Sequence, residues 1–238
     1  MTTMHSANGL AGTQPTAKLC VNGAVLVADI SGALYWPAQE ALLVADLHLE
    51  KGSAYARWGQ MLPPYDTCTT LNNLESVLAR FRPRRLIALG DSFHDRTAAE
   101  RVAPSERARI RSMTEALDWI WIAGNHDPEP PADWGGRVEP EITLGALVLR
   151  HEAIESHVAG EISGHYHPKA SVRVRNKRIS ARCFIDDGRR LVLPAFGAYA
   201  GGLSVLDPAL RGLFSREFQV HLLGRERLYR YPSHALVL

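Results

Sequence analysis

A short apolar run leads into a polar tip at Trp119-Ile120-Trp121-Ile122-Ala123-Gly124-Asn125-His126-Asp127. An apolar run that is closed by glycine is typical of a buried strand that ends in a loop. Loops beyond the carboxyl ends of strands are where open α/β sheets bind their ligands. Asn and Asp are also common turn residues, so this stretch alone is consistent with either a ligand site or a plain turn.

The same pattern of an apolar strand followed by Asp or His recurs along the chain. Four further tips are Asp46-Leu47-His48, Gly90-Asp91, Arg150-His151 and Gly164-His165-Tyr166-His167. Helical patterns over about 66–81 and 105–117 separate the first strands, which predicts a parallel sheet with right-handed crossovers. Beyond Asp133, short strands dominate, at about 141–149, 159–163, 171–175, 179–185, 191–196, 214–222 and 227–231. We therefore expect a second sheet that packs on the first.

Composition indicates a soluble globular protein, with 46% hydrophobic and 22% charged residues among 238. The net charge of +2 does not by itself predict a polyanionic partner. Three cysteines without a Cys-x-x-Cys motif favour neither a disulfide framework nor a thiolate zinc site, and a cytoplasmic location fits this usage. We expect a disordered leader over residues 1–18, a single domain over 19–238, and no membrane span.

The polar residues at the strand tips form a candidate metal-binding set. They are Asp46, His48, Asp91, Asn125, His126, His151, His165 and His167. Two carboxylates, one amide and five imidazoles are too many donors for one ion, and they predict two divalent ions that share a carboxylate. Manganese is the first expectation, with iron or zinc as alternatives. Such a pair typically lies about 3.5–4 Å apart, clamps a phosphate and provides a bridging hydroxide for in-line attack on phosphorus.

These ordered motifs resemble those of the calcineurin-like metallophosphoesterase superfamily. The resemblance implies an α/β fold in which a two-sheet β-sandwich is flanked by helices, giving four layers in the order α/β/β/α. It also implies that one ion is held by Asp46, His48, Asp91 and His167. The other ion is then held by Asp91, Asn125, His151 and His165. His126 would face the scissile phosphate and protonate the leaving alkoxide, as suits a group that titrates near neutral pH.

Two positions depart from the superfamily pattern. Glu152 follows His151 where relatives often carry glycine, which leaves His157 as an alternative ligand. His94 stands where many relatives carry an aspartate that orients the catalytic histidine, and Asp95 comes next. Either residue could orient His126, or both could simply stabilise their loop.

A narrower resemblance suggests a substrate. The segments 46–52, 90–95 and 193–202 are similar to the bacterial ligase-associated DNA damage response phosphoesterases, which implies a DNA endonuclease that associates with a DNA ligase. Arg173, Arg175 and Lys177 would line one face of a strand, which could follow a phosphate backbone, although a solvated strand face is the slightly better explanation. Phe93, Tyr166 and Phe196 could stack on bases or belong to the core.

Two other functions remain open from the sequence. One is a phosphoesterase or phosphatase that acts on nucleotides or other small molecules. The other is a scaffold that has kept the fold and lost catalysis. The scaffold is disfavoured because His126 and all the ligand positions are filled.

Overall fold

The computed structural model describes residues 15–129, 131–155 and 159–238. Within these residues two mixed β-sheets pack face to face, and helices cover the outer face of the first sheet. This arrangement confirms the predicted α/β two-sheet sandwich. The outer face of the second sheet is covered by loops and by one four-residue helix, α5 (Pro208–Arg211).

The first sheet follows chain order over the described residues. Its strands are β1 (Thr16–Val21), β2 (Ala24–Asp29), β3 (Leu34–Trp36), β4 (Ala41–Val44), β5 (Arg85–Leu89), β6 (Asp118–Ile122) and β7 (Arg137–Glu139). Pairing is antiparallel from β1 to β4 and parallel from β4 to β7. The parallel part is the part that the alternation of strands and helices predicts.

Helices cross between the parallel strands on the outer face of this sheet. They are α1 (Lys51–Ala56) and α2 (Asp66–Phe81) before β5, and α3 (Ala98–Arg101) and α4 (Pro104–Ala116) before β6. In α2 the buried residues Leu71, Leu74 and Val77 share one face toward the sheet. Helix α4 begins at Pro104 rather than at the expected Ser105, because proline is well suited to the first helical position.

The second sheet is assembled out of chain order. Its strands are β8 (Glu141–Leu144), β9 (Leu147–Arg150), β10 (Glu161–Ser163), β11 (Lys169–Val174), β12 (Lys177–Asp186), β13 (Arg190–Val192), β14 (Gln219–Leu223) and β15 (Leu228–Pro232). The spatial order is β15-β14-β12-β13-β10-β9-β8, and β11 pairs with β12. The prediction of one strand over 141–149 is wrong, because Gly145 adopts a left-handed φ of 57° and folds this segment into a β8–β9 hairpin.

The main core lies between the two sheets. Leu43, Ile87 and Ile120 of the first sheet contact Leu149 and Ile162 of the second in one buried cluster. A separate cluster joins the other face of the first sheet to α2 and α4. Because β4, β5 and β6 are covered on both faces, they read as continuous apolar runs in the sequence.

The expected leader is only partly tested. Residues 1–14 lie outside the described residues. Thr16–Lys18 belong to β1, so the prediction of disorder is wrong there, since Leu19 and Val21 of the same strand are buried against β2. In the described parts of the chain, no helix is long and apolar enough to cross a bilayer. The single domain and the cytoplasmic location remain predictions.

Candidate metal centre

The predicted ligands converge at one place, at the carboxyl ends of five strands. Asp46 and His48 follow β4, Asp91 follows β5, Asn125 and His126 follow β6, His151 follows β9, and His165 and His167 follow β10. The first three of these strands belong to one sheet and the last two to the other. The site therefore lies across the seam between the two sheets.

One group of ligand atoms comes from Asp46, His48 and His167, which lie within 4.8 Å of one another. The Nε2 atoms of His48 and His167 are 3.1 Å apart, and Nε2 of His167 lies 3.5 Å from Oδ1 of Asp46. The carboxylate of Asp46 is fully buried and accepts the backbone N–H of His165 at 3.0 Å. This hydrogen bond joins the β4 loop of one sheet to the β10 loop of the other.

A second group comes from Asp91, His151 and His165, again within 4.8 Å. Oδ1 of Asn125 lies 2.9 Å from Nε2 of His151 and 2.9 Å from Nδ1 of His165. The ring of His151 donates its Nδ1–H to the Leu89 carbonyl at 2.9 Å, which leaves its Nε2 lone pair facing the group.

Asp91 lies between the two groups. Its Oδ2 is 3.5 Å from Nε2 of His151 and 3.9 Å from Nε2 of His48. Its Oδ1 accepts the backbone N–H of His126 at 2.9 Å. This is the position that a carboxylate shared by two ions requires.

The donor atoms fit two divalent cations. Ligands that bind one ion at about 2.0–2.2 Å lie about 3 Å apart, and several pairs of donor atoms in the two groups are 3.1–3.5 Å apart. Asp46 and Asp91 are buried, and buried carboxylates need compensating positive charge. The two groups therefore form a candidate dinuclear site for divalent metal ions, and the identity of the metals remains a prediction.

The surroundings of the site shift the pKa values of its histidines in different directions. Burial, reinforced by the nearby His167, lowers the pKa of His48 and keeps its ring neutral. Burial alone would lower the pKa of His151, but hydrogen bonding to Asp91 and the charges of Asp46 and Asp91 raise it to about 9. At His151 an ion would replace a proton, because both compete for the same nitrogen.

The backbone of the site is strained. Five of the seven predicted ligands have φ between 44° and 69°, namely Asp46, His48, Asp91, His165 and His167. Side-chain-bearing residues rarely adopt this left-handed region, and each instance costs on the order of 1–3 kcal/mol. Such strain is characteristic of functional sites, and here it turns the side chains at the strand ends toward one point.

Two motif glycines allow the loops to approach closely. A Cβ atom at Gly90 would lie 2.3 Å from Nδ1 of His151, and one at Gly124 would lie 2.2 Å from the backbone nitrogen of Asp91. No side chain fits at such distances. The glycines that precede Asp91 and Asn125 in the sequence are thus required by the packing of the ligands themselves.

His126 lies at the open side of the site. Its side chain is 42% exposed, and its Nε2 is 3.9 Å from Oδ2 of Asp91. Its Nδ1 is 2.8 Å from the carbonyl oxygen of His94, to which it donates. The ring of His94 also stacks on the ring of His126, with centroids 5.6 Å apart.

Of the two residues predicted to orient His126, Asp95 does not do so. Asp95 does not contact His126, because Arg101 binds its carboxylate at 2.7 Å and Thr97 donates to it at 2.9 Å. Burial would raise the pKa of Asp95, but these partners outweigh burial and lower it to about 2. His94 does contact His126, through its main-chain carbonyl, which accepts a hydrogen bond from Nδ1, and through the stacked ring.

The buried side chain of Asp127 connects two loops of the site. It is 3% exposed, and its Oδ2 accepts the backbone N–H of Phe93 at 3.0 Å. Burial and the charge of Asp91 raise the pKa of Asp127 to about 7, despite that hydrogen bond. The side chain fixes the Asp91 loop to the β6 loop.

Other predicted contacts divide between the core and the surface. Phe93 and Phe196 are 2% exposed and belong to the core, whereas Tyr166 is partly buried beside the ring of His165. His157, the alternative ligand, lies outside the described residues.

The basic residues do not line one strand face as predicted. Arg173 lies near the end of β11, Arg175 is in the turn with a φ of 47°, and Lys177 begins β12. Arg175 and Asn176 both adopt the left-handed conformation, which reverses the chain. The three cations are exposed at the tip of the β11–β12 hairpin, together with Arg178.

Comparison with known proteins identifies the family. The crystal structure of Pseudomonas putida nuclease MPE matches 91% of this chain and 100% of that protein, with 32% sequence identity and a TM-score of 0.70. Yfce, a phosphoesterase from E. coli, is 14% identical over 80% of this chain and 97% of its own, with a TM-score of 0.41 that is too low to carry a conclusion. No protein-family model and no curated protein matches the chain. From its identity to the nuclease over almost its whole length, the chain belongs to the metallophosphoesterase family and is a metal-dependent hydrolase of phosphoric esters.

Proposed function

We propose that this enzyme is a two-metal phosphodiesterase that cleaves DNA. The observation that carries the proposal is the basic β11–β12 hairpin, which begins at Lys169, two residues after the predicted ligand His167. The similarity to a nuclease supports the same substrate class. A role in DNA repair and an association with a DNA ligase follow only from the subfamily resemblance and remain predictions.

The charge of the hairpin is not compensated by the protein. Arg173, Arg175, Lys177 and Arg178 have no ion pair within 4 Å among the described residues. Arg173 and Arg178 are directly opposite each other in the antiparallel register, where like charges are destabilising. A bound phosphate backbone would relieve this repulsion.

The hairpin also has a suitable length. Arg173 lies six positions beyond His167, which corresponds to about 20 Å of extended chain at roughly 3.3 Å per residue. One strand of DNA carries a phosphate about every 3.4 Å along the helix axis. The hairpin could therefore contact a backbone several nucleotides from the scissile bond, whereas a mononucleotide would not reach its tip.

The residues of the centre have separable tasks in this reaction. When bound, the two ions supply positive charge that polarises the phosphate and acidifies the attacking water. The His94 carbonyl fixes the ring of His126 so that Nε2 faces the open side of the site. When the ring carries a proton on both nitrogens, Nε2 can donate its proton to the alkoxide as the P–O bond to that oxygen breaks, a step that typically contributes about 10²–10⁴-fold. Manganese remains the first expectation for both ions, because imidazole nitrogen and carboxylate oxygen are mixed in each group.

The test compares DNA with a generic diester. We expect protein loaded with manganese to cleave circular single-stranded or duplex DNA as well as bis(p-nitrophenyl) phosphate. Replacing Arg173, Arg175 and Lys177 together by serine should weaken DNA binding and flatten its salt dependence, because fewer counterions are released. Hydrolysis of the small diester should be unchanged.

A matched control removes the same charge elsewhere. Arg111 on α4, Arg189 in the β12–β13 turn and Arg216 before β14 are exposed, and their triple replacement by serine should leave the salt dependence as it is. If both triple variants bind DNA alike, the hairpin is not the contact surface. If the wild type hydrolyses only the small diester or mononucleotides, the result supports the alternative function, a phosphoesterase that acts on small molecules.

A further inference from the structure

A cleft opens beside His126. It has a volume of about 370 Å³ and is lined by Ala54, Tyr55, Trp58, Gln60, His94, Asp95 and His126. This volume falls in the range of pockets that bind small organic groups. Since His126 forms part of its wall, whatever occupies the cleft lies next to the reacting phosphate.

Trp58 is the unusual feature of this cleft. It is 86% exposed, whereas Trp119 and Trp121 on β6 are almost fully buried. A tryptophan that is exposed to this extent adds little to the core, and proteins that bind single-stranded nucleic acid use aromatic side chains of this kind as platforms on which bases stack. Met61 and Tyr65 in the same loop are also exposed, at 84% and 66%, but they do not line the cleft.

The position of Trp58 is set by the backbone. Its N–H donates to the Tyr55 carbonyl at 3.0 Å, and the N–H of Gln60 donates to the same carbonyl at 3.1 Å. Gly59 donates to Ala56 at 3.0 Å. These bonds close the turn after α1, so the chain that carries Trp58 is fixed next to Tyr55 before any ligand arrives.

The walls of the cleft offer the chemistry that recognises a nucleobase. Tyr55 and Trp58 provide aromatic rings, and Gln60 provides an amide that can both donate and accept hydrogen bonds. The Tyr55 ring packs on the ring of His94 with centroids 5.8 Å apart, and Nζ of Lys51 lies 5.8 Å from the Tyr55 centroid. A phosphate would not select such walls, whereas a flat, polar-edged ring would.

We propose that this cleft binds one unpaired base of the substrate strand, the base adjacent to the scissile phosphate, by stacking on Trp58. The inference rests on the proposed DNA substrate. A paired base cannot enter, because its face is covered by its neighbours in the duplex. The enzyme should therefore prefer single-stranded or locally unpaired DNA, and stacking on one aromatic side chain is worth about tenfold to a hundredfold in affinity.

The experiment uses the full chain loaded with manganese and two oligonucleotides of equal length. One has mixed bases and the other has abasic residues throughout. We expect Trp58→Ala to raise the KM for the mixed strand about tenfold or more and to leave the KM for the abasic strand unchanged. Trp58→Phe should recover part of the loss, because it restores an aromatic face.

Met61→Ala is the matched control, since it removes an equally exposed apolar side chain from the same loop without touching the cleft. Manganese content and the thermal transition show that each variant is folded. The base subsite is excluded if Trp58→Ala and wild type cleave the mixed strand with the same KM. It is also excluded if Trp58→Ala raises the KM for the abasic strand by the same factor as the KM for the mixed strand. In both cases the proposed DNA substrate is unaffected. If wild type cleaves neither strand but hydrolyses bis(p-nitrophenyl) phosphate, the proposed function fails and this inference fails with it.

Discussion

The ring of His126 is held by the main-chain carbonyl of His94, with Nδ1 and the oxygen 2.8 Å apart. A carboxylate in this place would add negative charge beside the ring, whereas a carbonyl accepts the Nδ1–H and fixes the orientation of the ring with only a dipole. The bond survives any change of the His94 side chain, because the backbone supplies it. The two histidines can therefore be separated by mutation.

His126→Gln should lower kcat for a phosphodiester with an alkoxide leaving group by about 10²–10⁴-fold, because the proton donor is lost. Its metal content should remain that of the wild type, since His126 is outside both ligand groups. His94→Ala should keep most of kcat, and replacement of the exposed His234 by alanine should change nothing. Steady-state kinetics and metal analysis check these outcomes, and a variant His126→Gln with wild-type kcat would exclude the assigned role.

Asp91→Asn should reduce the binding of both ions, because its carboxylate lies between the two groups. His48→Ala should affect chiefly the ion of the first group and His151→Ala chiefly that of the second. Metal titration followed by elemental analysis gives the stoichiometry of each variant. Equal losses from His48→Ala and Asp91→Asn would show that Asp91 is not shared.

Gly124→Ala should disrupt the centre by sterics alone. The added methyl would lie 2.2 Å from the backbone nitrogen of Asp91, so the Asp91 and Asn125 loops must separate. Overpacking of this kind costs about 1–3 kcal/mol and should also lower metal affinity. Gly201→Ala, where no atom lies within 4 Å of the new methyl, is the control. Thermal unfolding of the metal-free and loaded proteins checks both effects, and a Gly124→Ala protein with full affinity would contradict the packing described here.

Asp118 provides a pH-dependent contribution to stability away from the centre. Burial alone would raise its pKa, but hydrogen bonds from Arg85, at 2.5 Å, and from Arg137 outweigh burial and lower it. A carboxyl whose pKa is lower in the folded state stabilises the fold above its ordinary pKa of about 4, and the contribution is lost as the pH falls below that value.

Asp118→Asn should therefore lower the free energy of unfolding at pH 7 by about 1 kcal/mol or less, as partly exposed ion pairs do. The difference from wild type should shrink below about pH 4, where the carboxyl of the wild type is protonated. Denaturant unfolding across pH measures it. Glu100→Gln, which removes an exposed carboxylate with no ion pair among the described residues, should show no such trend.

Much of the fold follows from local pattern. The apolar runs of β4, β5 and β6 and the buried face of α2 are visible in the sequence because burial on both faces, or on one helical face, dictates residue type. The β8–β9 hairpin and β1 were missed because a single glycine turn and a half-exposed edge strand leave weak signals.

The sequence by itself determined which residues could hold metal, because strand tips rich in Asp, Asn and His carry the chemistry in their side chains. Only the tertiary structure decided how they are arranged. The His94 carbonyl behind His126 and the cleft at Trp58 depend on main-chain atoms and on loops that are distant in the chain. Backbone groups are the same at every residue, so sequence cannot indicate which carbonyl will face a given ring until the two sheets have packed together.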